Sequence, residues 1–430
     1  MDFLKQASRT PTSADPETQE IAERLLAEIE REGETAVRRI NRELDGYSGE
    51  VVVAQELFRQ ARQTLPEQVK EDLRFARDRV RDFARRQRES ILEFEAPLTD
   101  GLVAGQRLIP VTTAGCYVPG GRHAHAASAI MSICTAKAAG VSNVIAATPA
   151  RGSQGVHPAI LYAMEISGVS TTLVAGGVAG IAALAFGLFS GCPADIIAGP
   201  GNRFVSEAKR LLFGRIGIDL LAGPTENLII ADETANPHLI AGDLAAQAEH
   251  GVDSPVWLIT TSLALGRRVL QLLPDVIAEL PEPARSTAAQ AWSDLGEITL
   301  VSSREEACKV SDQYAPEHLQ VQARDLDWWL DSLRNYGSLF LGEETTVAFG
   351  DKCSGPNHIL PTRQGARHTG GLSVAKFIKV VTYQRMTQQG TRALAPVAAR
   401  ISRLEGMEAH ARSAELRLEQ YSGAEKPNHE

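Results

Sequence analysis

Apolar and polar positions alternate at helical spacing through most of the first hundred residues. The stretch PETQEIAERLLAEIEREGETAVRRI carries an apolar residue every three or four positions, which predicts an amphipathic helix. A second long stretch, roughly residues 55 to 95, is also helical in pattern and is heavily charged. Its segment RFARDRVRDFARRQR is expected to face solvent or another subunit. The pattern therefore predicts a helical N-terminal extension.

From about residue 110 the pattern changes to short apolar runs that alternate with Ala-rich helical segments. The runs are NVIAATP, TTLVAGG, DIIAGPG, ENLIIAD, PVWLIT, EITLVSS and GSLFLG, and they have the length of buried strands. Strands that alternate with helices form βαβ units and mostly parallel sheets. The number of runs suggests two such sheets, so the predicted fold class is α/β. The last sixty residues have the pattern of a helical tail.

Glycine-rich segments accompany several of the predicted strands. They read YVPGGR, VAGGVAG, AGPGNRF and LAGPTEN, and we expect them at the carboxyl ends of the strands, where ligands bind in such sheets. None is a GxGxxG fingerprint followed by an acidic residue about 20 positions later. The pattern by itself therefore leaves both plain turns and a dinucleotide site open.

Composition and charge exclude several classes of function. The chain has 430 residues, with 44 basic and 53 acidic side chains and a formal charge of −9. The basic residues form no long block, so a nucleic-acid partner is not favoured. No apolar stretch reaches the roughly 20 residues needed to span a bilayer, and MDFLKQASRTPTSADPE lacks the apolar core of a signal peptide. We therefore expect a cytoplasmic protein with no membrane partner.

The cysteines argue against sulfur-based chemistry. They are scattered without a CxxC pair, which disfavours a disulfide framework and a thiolate zinc cluster: Cys116, Cys134, Cys192, Cys308 and Cys353. Cys116, in AGCYVPGG, is either a reactive thiol or, more commonly for such a residue, a small buried apolar side chain. A bound metal ion would have to use nitrogen and oxygen ligands.

Two short motifs each bring together a pair of polar side chains. In DLAAQAEHG, Gln247 and His250 lie three residues apart and share one face of a helix expected to end at Gly251. In YAPEHLQV, Glu317 and His318 are adjacent, so both reach one site only at a turn or strand end. A polar helix end and a solvated pair are the alternatives.

Two further motifs carry candidate ligands and acid–base groups. The loop FGDKCSGPNHILP contains Asp351, Lys352 and His358, and the tail motif LEGMEAH contains Glu405 and His410. An Asx-turn in the loop and a solvated helix face in the tail are the alternatives. Together the four motifs supply one amide oxygen, one carboxylate and two imidazoles, a ligand set suited to zinc. They also supply a carboxylate beside an imidazole, which suits general acid–base catalysis.

These motifs resemble the histidinol dehydrogenase family over nearly the whole chain. The resemblance rests on QAEHG, APEHL, GD followed by GPNHILP, and LEGMEAH in this order, together with AGCYVPGG, GPGN and FGRIGIDLLAGP. It implies a zinc-dependent homodimer that oxidises a primary alcohol to a carboxylate in two NAD-dependent steps, through a retained aldehyde. The small-molecule site would be shared between subunits.

The resemblance also implies a role for each candidate residue. The positions that match the zinc ligands, with the last donated by the other subunit, are Gln247, His250, Asp351 and His410. The positions that match the catalytic pair are Glu317 and His318. The positions that match cofactor contacts are Tyr117 and Asn202. The positions that match substrate contacts are Thr225, His358 and Glu405.

The predicted domain organisation has four parts. An N-terminal arm covers residues 1–20, and a helical tail expected to exchange in the dimer covers residues 371–430. A first incomplete Rossmann-like domain covers residues 21–114 and 225–370, and a second covers residues 115–224.

Several positions depart from the family's usual pattern. GGVAGIAALA has Ala179 where the family has glutamine, GPTE has Thr225 where serine is usual, and GDK has Lys352 where tyrosine is usual. YVPGG is followed by RHAH, which adds Arg122 and His125. Added positive charge should weaken binding of the cation histidinol and favour a small anion.

These departures resemble the sulfopropanediol dehydrogenase branch, as do DWWLDSLRNYGSLFLGEETT and HTGGLSVAKFIKVVTYQR. The implied reaction converts 2,3-dihydroxypropane-1-sulfonate to 3-sulfolactate, with the sulfonate bound by Lys352, Arg122 or His125. Oxidation of L-histidinol is the close alternative. A zinc hydrolase could use the same residues to activate water. A non-catalytic metal-binding module is a third interpretation, which leaves the Glu–His pair unexplained.

Overall fold

Strands and helices alternate along the greater part of the chain. The computed structural model describes residues 2–9, 16–120 and 124–422. The strands within these ranges are β1 (Asp2–Lys5), β2 (Phe94–Thr99), β3 (Leu102–Pro110), β4 (Thr113–Tyr117), β5 (Asn143–Thr148), β6 (Thr171–Val174), β7 (Ile196–Ala198), β8 (Gly217–Ile218), β9 (Asn227–Ala231), β10 (Val256–Thr260), β11 (Glu297–Leu300), β12 (His318–Gln322), β13 (Ser338–Leu341) and β14 (Ile378–Met386).

The helices connect or flank these strands. They are α1 (Pro16–Glu32), α2 (Glu34–Asp45), α3 (Gln55–Thr64), α4 (Glu67–Glu89), α5 (Ala126–Ala138), α6 (Pro158–Ser167), α7 (Gly177–Phe186), α8 (Arg203–Leu212), α9 (Pro237–Ala248), α10 (Leu263–Ala278), α11 (Ala284–Leu295), α12 (Arg304–Tyr314), α13 (Leu326–Ser332), α14 (Val347–Lys352), α15 (Gln388–Leu404) and α16 (Glu408–Ser422). Among the described residues, no helix is both long and apolar enough to cross a membrane.

The larger sheet has six strands in the order β1-β11-β10-β9-β12-β13. The strands from β9 to β13 pair in parallel, and β1 pairs with β11 in antiparallel register at one edge. Because side chains alternate along a strand, Ile229 belongs to a core with α9, α10 and α11, whereas Ile230 belongs to a core on the opposite face with α12 and α13. Helices on both faces explain why the central strands β9 and β10 are apolar almost throughout.

The second parallel sheet has five strands in the order β6-β5-β4-β7-β8. The chain runs outward from β4 through β5 to β6, and then returns to place β7 and β8 on the other side of β4. The carboxyl ends of β4 and β7 therefore lie at a topological switch point. Ile145 and Ile197 of this sheet pack in one core with Leu184 of the Ala-rich helix α7. These two sheets confirm the predicted α/β class with parallel-rich sheets.

The chain divides into two compact units. The first comprises Met1–Arg88 and Val111–Phe377 and contains both parallel sheets. The second comprises Glu89–Pro110 and Ile378–Glu430; it contains an antiparallel sheet in the order β14-β3-β2 together with α15 and α16. The division of the parallel sheets into two Rossmann-like domains stays a prediction.

Some strands had not been predicted from the sequence. Strand β1, within the predicted N-terminal arm, pairs Asp2 with Leu300 and Phe3 with Thr299. Strand β14 interrupts the predicted helical tail, in which the first α-helix begins at Gln388. A four-residue edge strand and antiparallel strands that are exposed along much of their length carry little hydrophobic periodicity, so the helical pattern of their surroundings dominated.

One predicted position of a glycine-rich segment was wrong. LAGPTEN, residues 221–227, leads into β9 and therefore lies at the amino end of the six-stranded sheet. It was expected at a carboxyl end. The reason is connectivity: the segment follows β8, the last strand of the five-stranded sheet, and carries the chain into the first parallel strand of the other sheet.

Candidate functional site

The Glu–His pair lies where strand β12 begins. His318 is the first residue of β12 and is paired with Asn227, the first residue of β9. The preceding helix α12 is ended by Ala315, which adopts a left-handed conformation with φ of 47°. At this turn both side chains reach one cluster, and Nδ1 of His318 lies 3.5 Å from Oε2 of Glu317. Both residues are buried.

Glu317 is held by two donors from the segment before β9. The hydroxyl of Thr225 and the backbone N–H of Glu226, the latter at 2.9 Å, donate to the same oxygen, Oε2. Burial raises the pKa of Glu317, whereas the charge of His318 and these two hydrogen bonds oppose the rise. A carboxylate with a raised pKa and a nearby imidazole can accept a proton from water.

His318 has a fixed ring orientation. Its Nδ1 donates to the backbone carbonyl of Glu226 over 2.9 Å. In the neutral ring this hydrogen bond leaves the Nε2 lone pair available as an acceptor. Burial disfavours the charged ring, but the carboxylates of Glu317 and Asp351 outweigh burial and raise the pKa of His318 to about 9. In its neutral form, His318 therefore has Nε2 as the ring atom that is free to accept a proton.

Helix α9 brings Gln247 and His250 to the same cluster. The helix ends at Ala248, and His250 lies in the turn that follows, with its N–H donating to the Gln247 carbonyl over 3.3 Å. The buried Gln247 donates through Nε2 to the Thr225 hydroxyl, which leaves the amide oxygen as a potential ligand. His250 is exposed as a residue, yet protein atoms crowd its ring and lower its pKa, an effect that Asp351 opposes.

Helix α14 supplies Asp351 and Lys352. Burial disfavours the charged carboxylate, but the nearby imidazoles of His318 and His358 hold the pKa of Asp351 below its usual range. The ammonium group of Lys352 lies 3.7 Å from Oδ2 of Asp351, and its side chain is 64% exposed. The site therefore has a carboxylate ligand candidate with a cation at its outer edge.

His358 connects the loop after α14 to helix α5. Its Nδ1 donates to the Asp351 carbonyl over 2.7 Å, and its Nε2 lies 3.0 Å from the hydroxyl of Ser128 in the first turn of α5. Asn357 donates to the Met131 carbonyl, also in α5, at 3.0 Å. The predicted substrate contact thus lies at the amino end of α5, where the helix dipole favours negative charge.

Of the predicted anion-binding residues His125 and Arg122, the structure describes only His125. His125 precedes α5 and is exposed, which puts it at the same helix end as Ser128. Arg122 lies outside the described residues.

The first unit contains three of the four predicted zinc ligands, and their donor atoms are of the types that zinc binds. Gln247, His250 and Asp351 offer an amide oxygen, an imidazole and a carboxylate. Within the described ranges, no three His, Cys, Asp or Glu side chains are grouped so as to hold a metal ion. The two other predicted residues belong to the second unit: Glu405 caps the end of α15, and His410 is an exposed residue of α16.

The predicted cofactor residues lie at the switch point of the five-stranded sheet. Tyr117 ends β4, and its buried hydroxyl accepts a hydrogen bond from the N–H of Gly177 at 2.9 Å. Asn202 follows β7 and caps α8 by accepting from the N–H groups of Phe204 and Val205. Gly199 has φ of 127°, and a Cβ atom there would lie 2.0 Å from the Tyr117 carbonyl. Only glycine fits this close approach of the two strand ends.

A buried ion pair supports the GPGN loop beside these residues. Lys209 pairs with Asp219 and also donates to the Gly199 carbonyl, while Asp219 accepts from the Gly199 N–H at 2.8 Å. The ion pair therefore fixes both the carbonyl and the N–H of Gly199. Dinucleotides bind at such switch points in related sheets, so the arrangement suits a cofactor loop.

Two residues of the cluster were missed by sequence reasoning. Glu226 contributes its backbone N–H and carbonyl to the Glu–His pair, and Ser128 contacts His358. Glu226 could have been found from the segment LAGPTEN, because it follows Thr225 directly. Ser128 carries no local signal: it is 230 residues from its partner in the sequence.

Comparisons with known proteins identify relatives along almost the entire length. The family model "Histidinol dehydrogenase" matches residues 8–418. A histidinol dehydrogenase homolog of Ruegeria pomeroyi is 56% identical over 97% of this chain and 96% of its own. A sulfopropanediol 3-dehydrogenase of the same organism is 51% identical over 98% and 97%, respectively. The crystal structure of histidinol dehydrogenase from Elizabethkingia anophelis superposes with a TM-score of 0.91, at 30% identity and with coverage of 97% and 95%.

Proposed function

The chain belongs to the histidinol dehydrogenase family of NAD-dependent oxidoreductases that act on CH–OH groups, and we propose that it oxidises 2,3-dihydroxypropane-1-sulfonate to 3-sulfolactate. The overall reaction removes two hydrides from a primary alcohol and consumes one water. The observation that carries this proposal is the buried Glu317–His318 pair beside Asp351, with Lys352 at the outer edge.

The choice of substrate is supported by sequence and by charge. The relative described as a sulfopropanediol 3-dehydrogenase is 51% identical to this chain, against 41% for the histidinol dehydrogenase of Thermus thermophilus. Lys352 and the amino end of α5, preceded by His125, both favour an anion over a cationic amino alcohol. The sulfonate would bind on this side, and Arg122 stays a candidate for the same contact.

His318 and Glu317 divide the proton chemistry. In the first step, Nε2 of His318 accepts the hydroxyl proton while the carbinol carbon loses a hydride, which gives an aldehyde. In the second step, Glu317 takes a proton from water as the water oxygen attacks the aldehyde carbon, and the resulting hydrate anion loses a second hydride to give the carboxylic acid. NAD, when bound near Tyr117 and Asn202, supplies the hydride acceptor for each step.

Other residues of the cluster would bind and orient the substrate. Gln247, His250 and Asp351, with His410 of the partner subunit in a homodimer, would hold a zinc ion. Zinc would polarise and orient the substrate's hydroxyl groups without changing its oxidation state. Thr225, His358 and Glu405 would contact the substrate; Thr225 is fixed by its hydrogen bonds to Glu317 and Gln247.

A direct comparison of substrates tests the proposal. The purified, zinc-loaded protein is incubated with NAD and either 2,3-dihydroxypropane-1-sulfonate or L-histidinol, and NADH is measured until each substrate is exhausted. We expect faster turnover of the sulfonate and a yield approaching two NADH per substrate. Preference for histidinol would establish the close alternative. A strict requirement for NAD would exclude the zinc hydrolase.

A further inference from the structure

Glu226 touches both members of the Glu–His pair through its backbone. Its N–H donates to Oε2 of Glu317 at 2.9 Å, and its carbonyl accepts from Nδ1 of His318 at 2.9 Å. The same carbonyl also accepts from the backbone N–H of His318 at 3.3 Å. One residue therefore sets the position of the carboxylate, the tautomer of the imidazole and the start of β12.

The side chain of Glu226 fixes the backbone that makes these contacts. The side chain is buried, and Oε1 accepts from the backbone N–H of Arg363 at 2.7 Å. Thr362, the neighbour of Arg363, accepts from the N–H of Gly223. The segments 223–226 and 362–363 are thus joined at two points.

A buried carboxyl group at this position needs an explanation, because burial of a carboxyl group is unfavourable unless its oxygens are hydrogen-bonded. The second oxygen of Glu226, Oε2, has no protein hydrogen-bond partner. An apolar side chain could fill the same volume without that cost, but it could not bind the Arg363 N–H. The hydrogen bond from Oε1 is therefore the feature that distinguishes glutamate here.

We propose that Glu226 is a positioning residue for the oxidation reaction. Its carboxyl group ties residues 223–226 to residues 362–363, and this tie holds the Glu226 peptide where it aligns Glu317 and His318. The proposal rests on the proposed function for the roles of the pair. In this proposal Glu226 acts through Glu317 and His318 and touches neither substrate nor cofactor.

Two substitutions separate the effect of the hydrogen bond from the effect of the charge. Glu226→Gln keeps an oxygen that can accept from Arg363, whereas Glu226→Ala removes it. In the holoenzyme we expect Glu226→Ala to lower kcat about 10- to 100-fold, the range expected when a catalytic group is misplaced by up to about 1 Å. The KM values for substrate and NAD should stay within about two-fold, because no binding contact is removed. Glu226→Gln should keep kcat within about three-fold.

The orientation of His318 provides a readout that does not depend on turnover. Nitrogen-15 NMR of labelled histidine distinguishes the two neutral tautomers, and the His318 signal is assigned by its absence in His318→Asn. At a pH above the His318 pKa of about 9, where the ring is neutral, wild type and Glu226→Gln should show the tautomer protonated at Nδ1, and Glu226→Ala should show a mixture. If the wild-type enzyme oxidises neither substrate, the proposed function fails, while this measurement still tests Glu226.

A matched control uses a carboxylate that fixes backbone far from the pair. Asp195 accepts from the N–H groups of Thr112 and Thr113 at the amino end of β4. Asp195→Ala should lower the melting temperature but leave kcat and the His318 tautomer unchanged. Four outcomes would each overturn the proposal. In folded Glu226→Ala they are an unchanged kcat, a raised KM with normal kcat, or an unchanged His318 tautomer. The fourth is an equal loss of activity in the Gln and Ala variants. If Glu226→Ala does not fold, Glu226→Asp takes its place, since its shorter side chain falls short of the Arg363 N–H.

Discussion

Nε2 of His318 lies 3.7 Å from Oδ1 of Asp351. The proposed proton acceptor is therefore next to a proposed metal ligand, and each residue shifts the pKa of the other. The carboxylate helps to raise the pKa of His318 to about 9 despite its burial, and the imidazolium helps to hold the pKa of Asp351 below its usual range. The same proximity would let a substrate hydroxyl contact the metal ion and the base together.

The raised pKa of His318 predicts how its protonation depends on pH. Below its pKa the ring is protonated and accepts no further proton, so the fraction of competent base grows as pH rises towards about 9. In the metal-free protein, we expect His318 to titrate near this value by nitrogen-15 NMR. Asp351→Asn should lower that pKa, because it removes one of the two carboxylates that favour the imidazolium.

Turnover of the zinc-loaded enzyme should follow the same direction. We expect kcat/KM to increase with pH from neutrality into the alkaline range. The increase is expected to begin at lower pH than the metal-free titration, because a cation on Asp351 offsets its negative charge. A rate that is flat or falls with rising pH would contradict His318 as the proton acceptor, and an unchanged pKa in Asp351→Asn would contradict the electrostatic argument.

Lys352 is predicted to contribute to substrate choice through its charge. Lys352→Ala should raise the KM for 2,3-dihydroxypropane-1-sulfonate by about 3- to 10-fold with little change in kcat, a modest effect because solvent screens an exposed ammonium group. Steady-state kinetics at low and high salt measures it, and salt should reduce the difference. The control is Arg324→Ala, which removes an exposed cation at the carboxyl end of β12, whereas Lys352 lies near its amino end. An equal rise in KM for L-histidinol would show that Lys352 acts on binding in general.

Cys116 is predicted to be inert, although its motif is part of the family resemblance. The thiol is fully buried in β4, and burial raises its pKa to about 12, so almost no thiolate is present at neutral pH. Iodoacetamide at about pH 8 should modify the exposed Cys192 in the native protein and leave Cys116 unmodified, as read by peptide mass spectrometry. Cys116→Ala should retain activity. Loss of activity with intact folding would reopen the nucleophile interpretation.

The fold was largely predictable because its parallel strands are covered on both faces. Runs such as NLIIA and VWLIT are apolar almost throughout, which marks them as buried strands without knowledge of their partners. Strand β14 shows the converse: IKVVTYQRM alternates irregularly and is exposed along much of its length, so its pairing with β3 leaves little trace in the local sequence.

The candidate site was predictable only through motifs. Glu317 and His318 are adjacent and visible as a pair, but their hydrogen-bond partner Glu226 is 91 residues from Glu317. No local periodicity reports such a contact, which arises from the parallel pairing of β9 with β12. The contact between Ser128 and His358 has the same origin in tertiary structure and was equally invisible.

The proposed sharing of the site between subunits makes a quantitative prediction. Glu317→Ala and His410→Ala proteins should each be inactive, because one lacks the base for water and the other a metal ligand. If the two are unfolded, mixed in equal amounts and refolded, random pairing makes about half of the dimers mixed. In a mixed dimer with crossed tails, one of the two sites receives both substitutions and the other receives neither. About one quarter of the wild-type activity should therefore return.

The control for this experiment is a mixture of Glu317→Ala with Gln247→Ala. Both residues lie in the first unit, so every site in a mixed dimer carries one substitution and no activity should return. Different affinity tags on the two chains verify that mixed dimers have formed. If mixed dimers of Glu317→Ala and His410→Ala are isolated and stay inactive, each site is built within a single subunit. His410 would then have to reach the zinc ligands of its own chain, and the tail would not exchange.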